Sequence, residues 1–327
     1  MSSVLEALLR ISPAEVRAER RGFRIPLAPV RDRLERIGEI FLEGYHAALA
    51  DRGMEALAER LDRIDTGFRG FGYEGAAMAL DLIDQTTPWK TPRIAQFLSG
   101  PAKPHTYMAI VGIGWSMARM HFGLKRRFSR LDPLLAWLAF DGWGFHEAYF
   151  HWPRYAAGKP WPRALTGYAT RAFDQGLGRS LWFIGGADPE AITNLVEGFP
   201  DSRRGDLWSG VGLACTYAGG CGAREMSRLW RASDSWWPHL AQGAVFAAKA
   251  RERAGNLTDH TDEACRVLAG LPAREAAALA DRMLKQAADA QKPAYEAWRV
   301  RIQMHFSQGD QLWNDDPCGA TPLPVSL

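Results

Sequence analysis

The chain has 327 residues, 47% of them hydrophobic, and its 40 basic and 37 acidic residues leave a net charge of +3. That balance, with no basic stripe, excludes a nucleic-acid-binding surface, and the composition is that of a soluble globular protein with a sizeable core. The longest charge-free apolar runs, Tyr107–Ala118 and Leu207–Ala223, are shorter than the ~20 residues a membrane-spanning helix needs, so no membrane partner is expected.

The chain opens with a short helix and a basic arm over residues 1–25, without a signal-peptide core. An amphipathic helix follows over about 28–50 and stops at Gly53. Met54–Ile64 is a second amphipathic segment, and a glycine-rich turn leads into helix toward Asp84. A Pro- and Thr-rich loop is expected from Gln85 to Pro104, then a buried helix over 107–119 and a basic turn. The central segment, Pro133–Trp152, has Asp132 as N-cap and proline at the first helical position. A proline-rich loop precedes the second half, and Asp259–Phe306 reads as two amphipathic helices with a bend at Pro293. Residues 307–327 read as a disordered tail. Runs of alternating β-branched residues are few, so the chain is expected to be one all-α domain over 26–306.

The second half repeats the order of the first: glycine turn, small-residue helix, long apolar helix. VGIGWSMA at 111–118 aligns with VGLACTYA at 211–218, FRGFGYEGA at 68–76 with GRSLWFIGG at 178–186, and DGWGF at 141–145 with QGAVF at 242–246. The expectation is a duplicated unit, about 28–152 and 163–255, related by a pseudo-twofold axis, with C-terminal helices over 259–306. Glycines in the 107–119 and 207–222 helices would let those two pack closely. Charges found in one copy alone are not demanded by the architecture. Asp141 faces Gln242, His146 faces Ala247, Glu147 faces Ala248, Glu74 faces Ile184 and Arg119 faces Gly219, whereas Arg69 and Arg179 match and read as structural, with binding of an anionic substrate as the alternative.

Asp141 lies on an apolar stripe with Leu134, Leu138 and Phe145, where a lone carboxylate is costly. It is either a satisfied core aspartate or a working group. Asp141, His146, Glu147 and Glu74 are the candidates for proton transfer, with Arg119 for oxyanion stabilisation. Thirteen tryptophans point to an aromatic pocket, for which Trp115, Trp143, Tyr149, Tyr73, Trp208 and Tyr217 are candidate linings. HEAYFH at 146–151 spaces its histidines i, i+5, about 140° apart on a helix, so no metal site is assigned. No phosphate or dinucleotide fingerprint stands in context, and no cofactor is expected. The four cysteines lack zinc or redox spacing and read as reduced thiols of a cytoplasmic protein.

RISPAEVRAERRGF at 10–23, GFGYEGAAMALDLID at 70–84, DGWGFHEAYF at 141–150 and FPDSRRGDLWSGVGLACTYAGG at 199–220 carry a resemblance. The chain resembles a domain-of-unknown-function family that accompanies enediyne polyketide biosynthesis genes in actinobacteria. The resemblance implies tailoring of an enediyne natural product by cofactor-independent carbon–carbon coupling of an anthraquinone to the enediyne core, and it carries over no catalytic residues. The partners expected are a polycyclic aromatic small molecule and a second copy in a homodimer. A protein that binds and shields a reactive product is the alternative.

Overall fold

A computed structural model describes residues 3–50, 53–87, 89, 92–155, 161–286 and 293–308. Among them there are helices and no strand, in the order α1 (Ser3–Leu9), α2 (Ala18–Arg21), α3 (Ala28–Leu49), α4 (Met54–Asp62), α5 (Arg69–Thr86), α6 (Arg93–Ser99), α7 (Thr106–Arg119), α8 (Leu124–Phe128), α9 (Leu138–Tyr155), α10 (Tyr168–Ile184), α11 (Pro189–Glu197), α12 (Asp201–Ala218), α13 (Ala223–Ala232), α14 (Trp237–Arg253), α15 (Asp259–Ala269), α16 (Ala273–Gln286) and α17 (Ala294–Gln308). The all-α expectation holds. Short polar side chains set several starts. Asp132 accepts the Leu134 and Leu135 N–H groups at 3.0 and 2.9 Å, ahead of a 3-10 turn that leads into α9. Asp188, followed by Pro189, caps α11 through the Ala191 N–H at 2.8 Å.

Seven long helices form a serial array, α3–α5–α7–α9–α10–α12–α14, each packed on the next. The contact between neighbours is backbone on backbone. A Cβ placed on Gly112 would lie 2.0 Å from the Glu74 carbonyl oxygen, on Gly142 2.0 Å from that of Val111, and on Gly176 1.7 Å from that of Asp141. The series continues with Gly210 against Gln175 and Gly243 against Ser209, both at 2.0 Å. In all five cases the carbonyl belongs to the residue just before the preceding helix's own crossing glycine. Gly44 and Gly75 extend the set to α3 and α5.

The crossing glycines at 44, 75, 112, 142, 176, 210 and 243 thus mark a unit of about 34 residues, one long helix and its connector. Three units make the offset of about one hundred that the sequence shows. In this register Asp141 does correspond to Gln242, but Glu74 corresponds to Gln175 rather than Ile184, and Arg179 to Met78 rather than Arg69. The glycines also correct the expected pairing of α7 with α12. Those of α7 meet α5 and α9, and those of α12 meet α10 and α14, because each glycine serves its immediate neighbour in the array. The expected loop over 85–104 contains α6, and α17 extends two residues into the expected tail. The segment just before Pro293 and residues 309–327 lie outside the described residues.

The array curls until its ends meet. Arg33 Nε donates to the Ala218 carbonyl at 2.8 Å, and Arg251 Nη2 donates to that of Gly67 at 3.0 Å. The short helices α11, α13 and α15 pack successively as an outer layer, while α15, α16 and α17 cover α14. Before α3, residues 9–25 run back across the array, with Val16 seated on Gly38.

The crossings dictate a stability test. Gly142→Ala should destabilise by ~3 kcal/mol or more, because backbone cannot give way as a side chain can. Gly198→Ala is the control: that residue is helical and exposed, and its nearest neighbour is a carbonyl at 3.4 Å. Denaturant unfolding of both variants checks this, and equal stabilities would refute the crossing argument.

Candidate active site

The residue before each crossing glycine is polar on six of the seven long helices: Glu43, Glu74, Asp141, Gln175, Ser209 and Gln242, with Val111 the exception. From α9 onward these side chains form a buried row. Gln175 Nε2 donates to Asp141 Oδ2 at 2.8 Å, and Ser209 donates to Gln242 Oε1 at 2.9 Å. Arg299 of α17 closes the row on Gln242 at 3.2 Å and pairs with Asp206 at 2.7 Å. Asp141 is 1% exposed, and its second oxygen accepts from Arg179. It is therefore a satisfied ion-paired member of the row.

Glu74 differs because the row is interrupted beside it. Its neighbour on α7 is Val111, which offers no donor, and the Arg179 guanidinium lies 4.0 Å away. The carboxyl is 3% exposed. Burial, with a smaller contribution from the Asp141 charge and opposed by Arg179, pushes its pKa up to about 7. Close by, the buried Trp115 indole N–H makes no hydrogen bond of normal geometry among the described residues; the acceptor it approaches is Glu74, whose carboxyl it draws slightly down. A carboxyl group near neutrality, a guanidinium and an indole N–H thus converge at one point.

That point lies in an apolar cleft lined by five consecutive long helices. Phe41 comes from α3, Phe71 from α5, Trp115 from α7, Phe145 and Tyr149 from α9, and Arg179 and Phe183 from α10. The rings are in mutual contact: Trp115 lies 4.4 Å from Phe41 and 5.2 Å from Phe145, which stacks on Tyr149 at 5.7 Å. Ile11 and Val16 of the N-terminal arm form the roof, and Phe23 meets Tyr149 edge-on at 5.3 Å. With the arm in place the cavity is narrow, about 40 Å³, room for a few waters only.

The expected residues divide into three groups. Glu74, Trp115 and Tyr149 meet in the cleft, with Asp141 behind it on Arg179. His146, Glu147 and Arg119 line an adjoining open pocket. Burial lowers the His146 pKa and so favours the neutral ring. Burial pushes Glu147 up, but the adjacent His146 and a 2.8 Å hydrogen bond from Tyr155 outweigh it and hold the carboxyl low. Tyr73, Trp143 and Trp208 lie elsewhere. Tyr73 stacks on His105 and bonds Asp62, and Trp143 stacks on the exposed His121. Trp208 is buried on α12, outside the cleft lining. Tyr217 reaches the margin, edge-on to Phe71 at 5.3 Å, with its hydroxyl unpaired. Arg179, set aside by the sequence pairing, is the missed residue. Aligning the glycines would have found it, since Trp115, Phe145 and Phe246 hold its position on α7, α9 and α14.

Two measurements test these assignments. Asp141→Asn should cost about 3 kcal/mol, because it unpairs a buried guanidinium; the sequence comparison with Gln242 implies a smaller loss. Glu74 gives the opposite pattern. Its folded pKa lies above the ordinary 4.5, so its protonation stabilises the fold fully below pH 4.5, and that contribution is lost as pH rises through 7. Glu74→Gln should therefore gain about 3 kcal/mol relative to wild type between pH 4.5 and 8. A pH-independent difference between the two proteins would refute the raised carboxyl.

No curated protein matches the chain, and neither does any solved structure. Residues 1–306 match a family described as a protein of unknown function, DUF1702, and on that coverage the chain belongs to the DUF1702 family.

Proposed function

We propose that the chain is a cofactor-independent enzyme that closes a carbon–carbon bond within a polycyclic aromatic substrate, using Glu74 for proton transfer. The observation that carries the reading is the Glu74 carboxyl, poised near neutrality in an aromatic cleft beside Arg179 and the Trp115 N–H. Phe41, Phe145 and Tyr149 offer faces to a flat ring system, and the polar corner offers one acceptor and two donors to a phenol oxygen. The enediyne resemblance supplies the substrate class, an anthraquinone linked to an enediyne core, and the electrophile proposed on that core is an epoxide.

The chemistry balances without an external reagent. Ionised Glu74 takes the phenol proton, and Arg179 with the Trp115 N–H stabilises the phenolate. The phenolate's electron pair moves through the ring to form the new carbon–carbon bond, and the epoxide C–O bond breaks onto its oxygen. The alkoxide takes the proton back from Glu74, and the resulting dienone tautomerises to the phenol. The reaction is an isomerisation, so product mass equals substrate mass. Holding the two arms together in the cleft removes much of the entropic barrier.

A polycycle needs several hundred Å³, so the arm has to move away for entry. The arm is held mainly by burial of Leu9, Val16, Phe23 and Ile25 and by the Tyr45 hydroxyl on the Leu9 carbonyl, and its ion pairs add little. Arg17 pairs with Glu35 at 2.7 Å and Glu39 at 2.9 Å while its own side chain is 51% exposed, and exposed pairs contribute ~1 kcal/mol or less.

The test is incubation of purified protein with an epoxide-bearing anthraquinone–enediyne precursor and no added cofactor, followed by chromatography and mass spectrometry. The expected result is a new species of unchanged mass, formed at a rate that rises through about pH 7 as Glu74 ionises. Glu74→Gln should lower that rate by ~10²–10⁴ while melting no lower than wild type at pH 8. Binding of the precursor without turnover would overturn the catalytic reading in favour of sequestration.

A further inference from the structure

Beside the cleft lies a second, open pocket of about 590 Å³, lined by residues from the arm, α7 and α9. The two spaces share Ile11 and Phe150, and the His146 ring on the pocket side meets Trp115 of the cleft edge-on at 5.6 Å. A ligand seated in the cleft can therefore extend a substituent into the pocket.

The pocket's charges are unevenly satisfied. Arg21 pairs with Glu15, and Glu147 accepts from Tyr155. Arg10 and Arg119 have no carboxylate partner among the described residues. Arg119 is held at the pocket by the Tyr45 hydroxyl, 3.4 Å from its Nη1, and that hydroxyl donates onward to the Leu9 carbonyl at 2.6 Å. His146 is 8% exposed, and its buried Nδ1 lies 3.8 Å from Glu147 Oε1, the carboxylate that lines the same pocket. Two guanidinium groups without a carboxylate partner thus face one open space, with the His146–Glu147 pair on its wall.

We infer that this pocket is a subsite for a carboxylate carried by the molecule whose aromatic body occupies the cleft, with Arg119 and Arg10 as the binding cations and His146 as an additional hydrogen-bonding group. The inference rests on the cleft being the substrate site, and it sets the substrate class as an amphipathic polycycle bearing an acid. With Arg21 paired to Glu15, Arg10 and Arg119 outweigh the single charge of Glu147, so the pocket favours an anion over a neutral polar group, and planar guanidinium groups suit the two oxygens of a carboxylate. Arg119 is also one turn beyond Trp115 on α7, so a single helix presents both the ring platform and the charge.

The experiment compares two probes, anthraquinone-2-carboxylate and neutral 2-methylanthraquinone, by quenching of tryptophan fluorescence and by calorimetry on the full chain. Wild type should bind the acid about tenfold or more tightly than the neutral probe, with the preference falling as salt is raised. Arg119→Gln should reduce the preference several-fold, and Arg119→Gln with Arg10→Gln should abolish it. The affinity for 2-methylanthraquinone should stay within about twofold in both variants. Equal binding of the two probes by wild type overturns the subsite while leaving the cleft reading intact. Loss of affinity for both probes together in Arg119→Gln also overturns it, since that is the signature of a disturbed cleft. Binding of neither probe overturns the cleft reading and the subsite with it.

Discussion

Each of the seven helices of the array crosses its neighbour at a glycine, backbone against backbone. The Cβ positions of the crossing glycines fall within about 2 Å of the neighbouring carbonyl oxygens, so these contacts admit glycine alone. Close approach brings extended van der Waals contact between backbones. It also fixes rotation: once a glycine is at the crossing, the residues three and seven positions later have set directions. On α7, α9 and α10 those residues include Trp115, Phe145, Tyr149, Arg179 and Phe183, all linings of the cleft. The site is thus a by-product of the crossing geometry.

The polar row is the second consequence of the same register. Placing a polar side chain just before each glycine puts amides, hydroxyls and carboxylates at the densest layer of the core, where an unsatisfied group is costly. Gln175 donates to Asp141 and Ser209 donates to the Gln242 oxygen, while the Gln242 amide nitrogen is the one group of the three left without a partner among the described residues. Val111 interrupts the row, leaving Glu74 with a guanidinium 4.0 Å away and the Trp115 indole. One apolar substitution in a polar series therefore separates a structural carboxylate, Asp141, from a reactive one, Glu74.

Much of this was legible in the sequence, and the failures have definite physical causes. Helices α3 and α7 were read to within a residue or so at each end because periodicity, caps and glycine stops are local signals. The helix α6 was hidden by the Pro- and Thr-rich composition around it. The sequence strings pair at an offset of about one hundred by resemblance and not by the position of the crossing glycine. That misregister paired Arg179 with Arg69 and concealed the cation at the centre of the site. Glu74 was named as a candidate, but its proximity to Arg179, on a helix three places along the array, is a property of the curl. The arm's role as roof is equally non-local: nothing in residues 11–23 announces that Val16 will seat on Gly38.

The spacing between successive crossing glycines varies from 30 to 37 residues, yet the crossings themselves are nearly superposable in kind. That variation is shared between the connectors and the ends of the helices: the links before and after α5 are equally long, and the wider spacing that follows comes from α5 running further past its crossing glycine than α3 does. The fold therefore divides its chain into two classes with different tolerance to change. Connectors can lengthen, shorten or acquire a helix without altering the cleft. Within a long helix, by contrast, a single inserted residue would rotate everything beyond it by about 100° and move the aromatic and charged linings off the concave face. Diversification of such a scaffold is channelled toward exchange of side chains at fixed helical positions and toward remodelling of the outer layer.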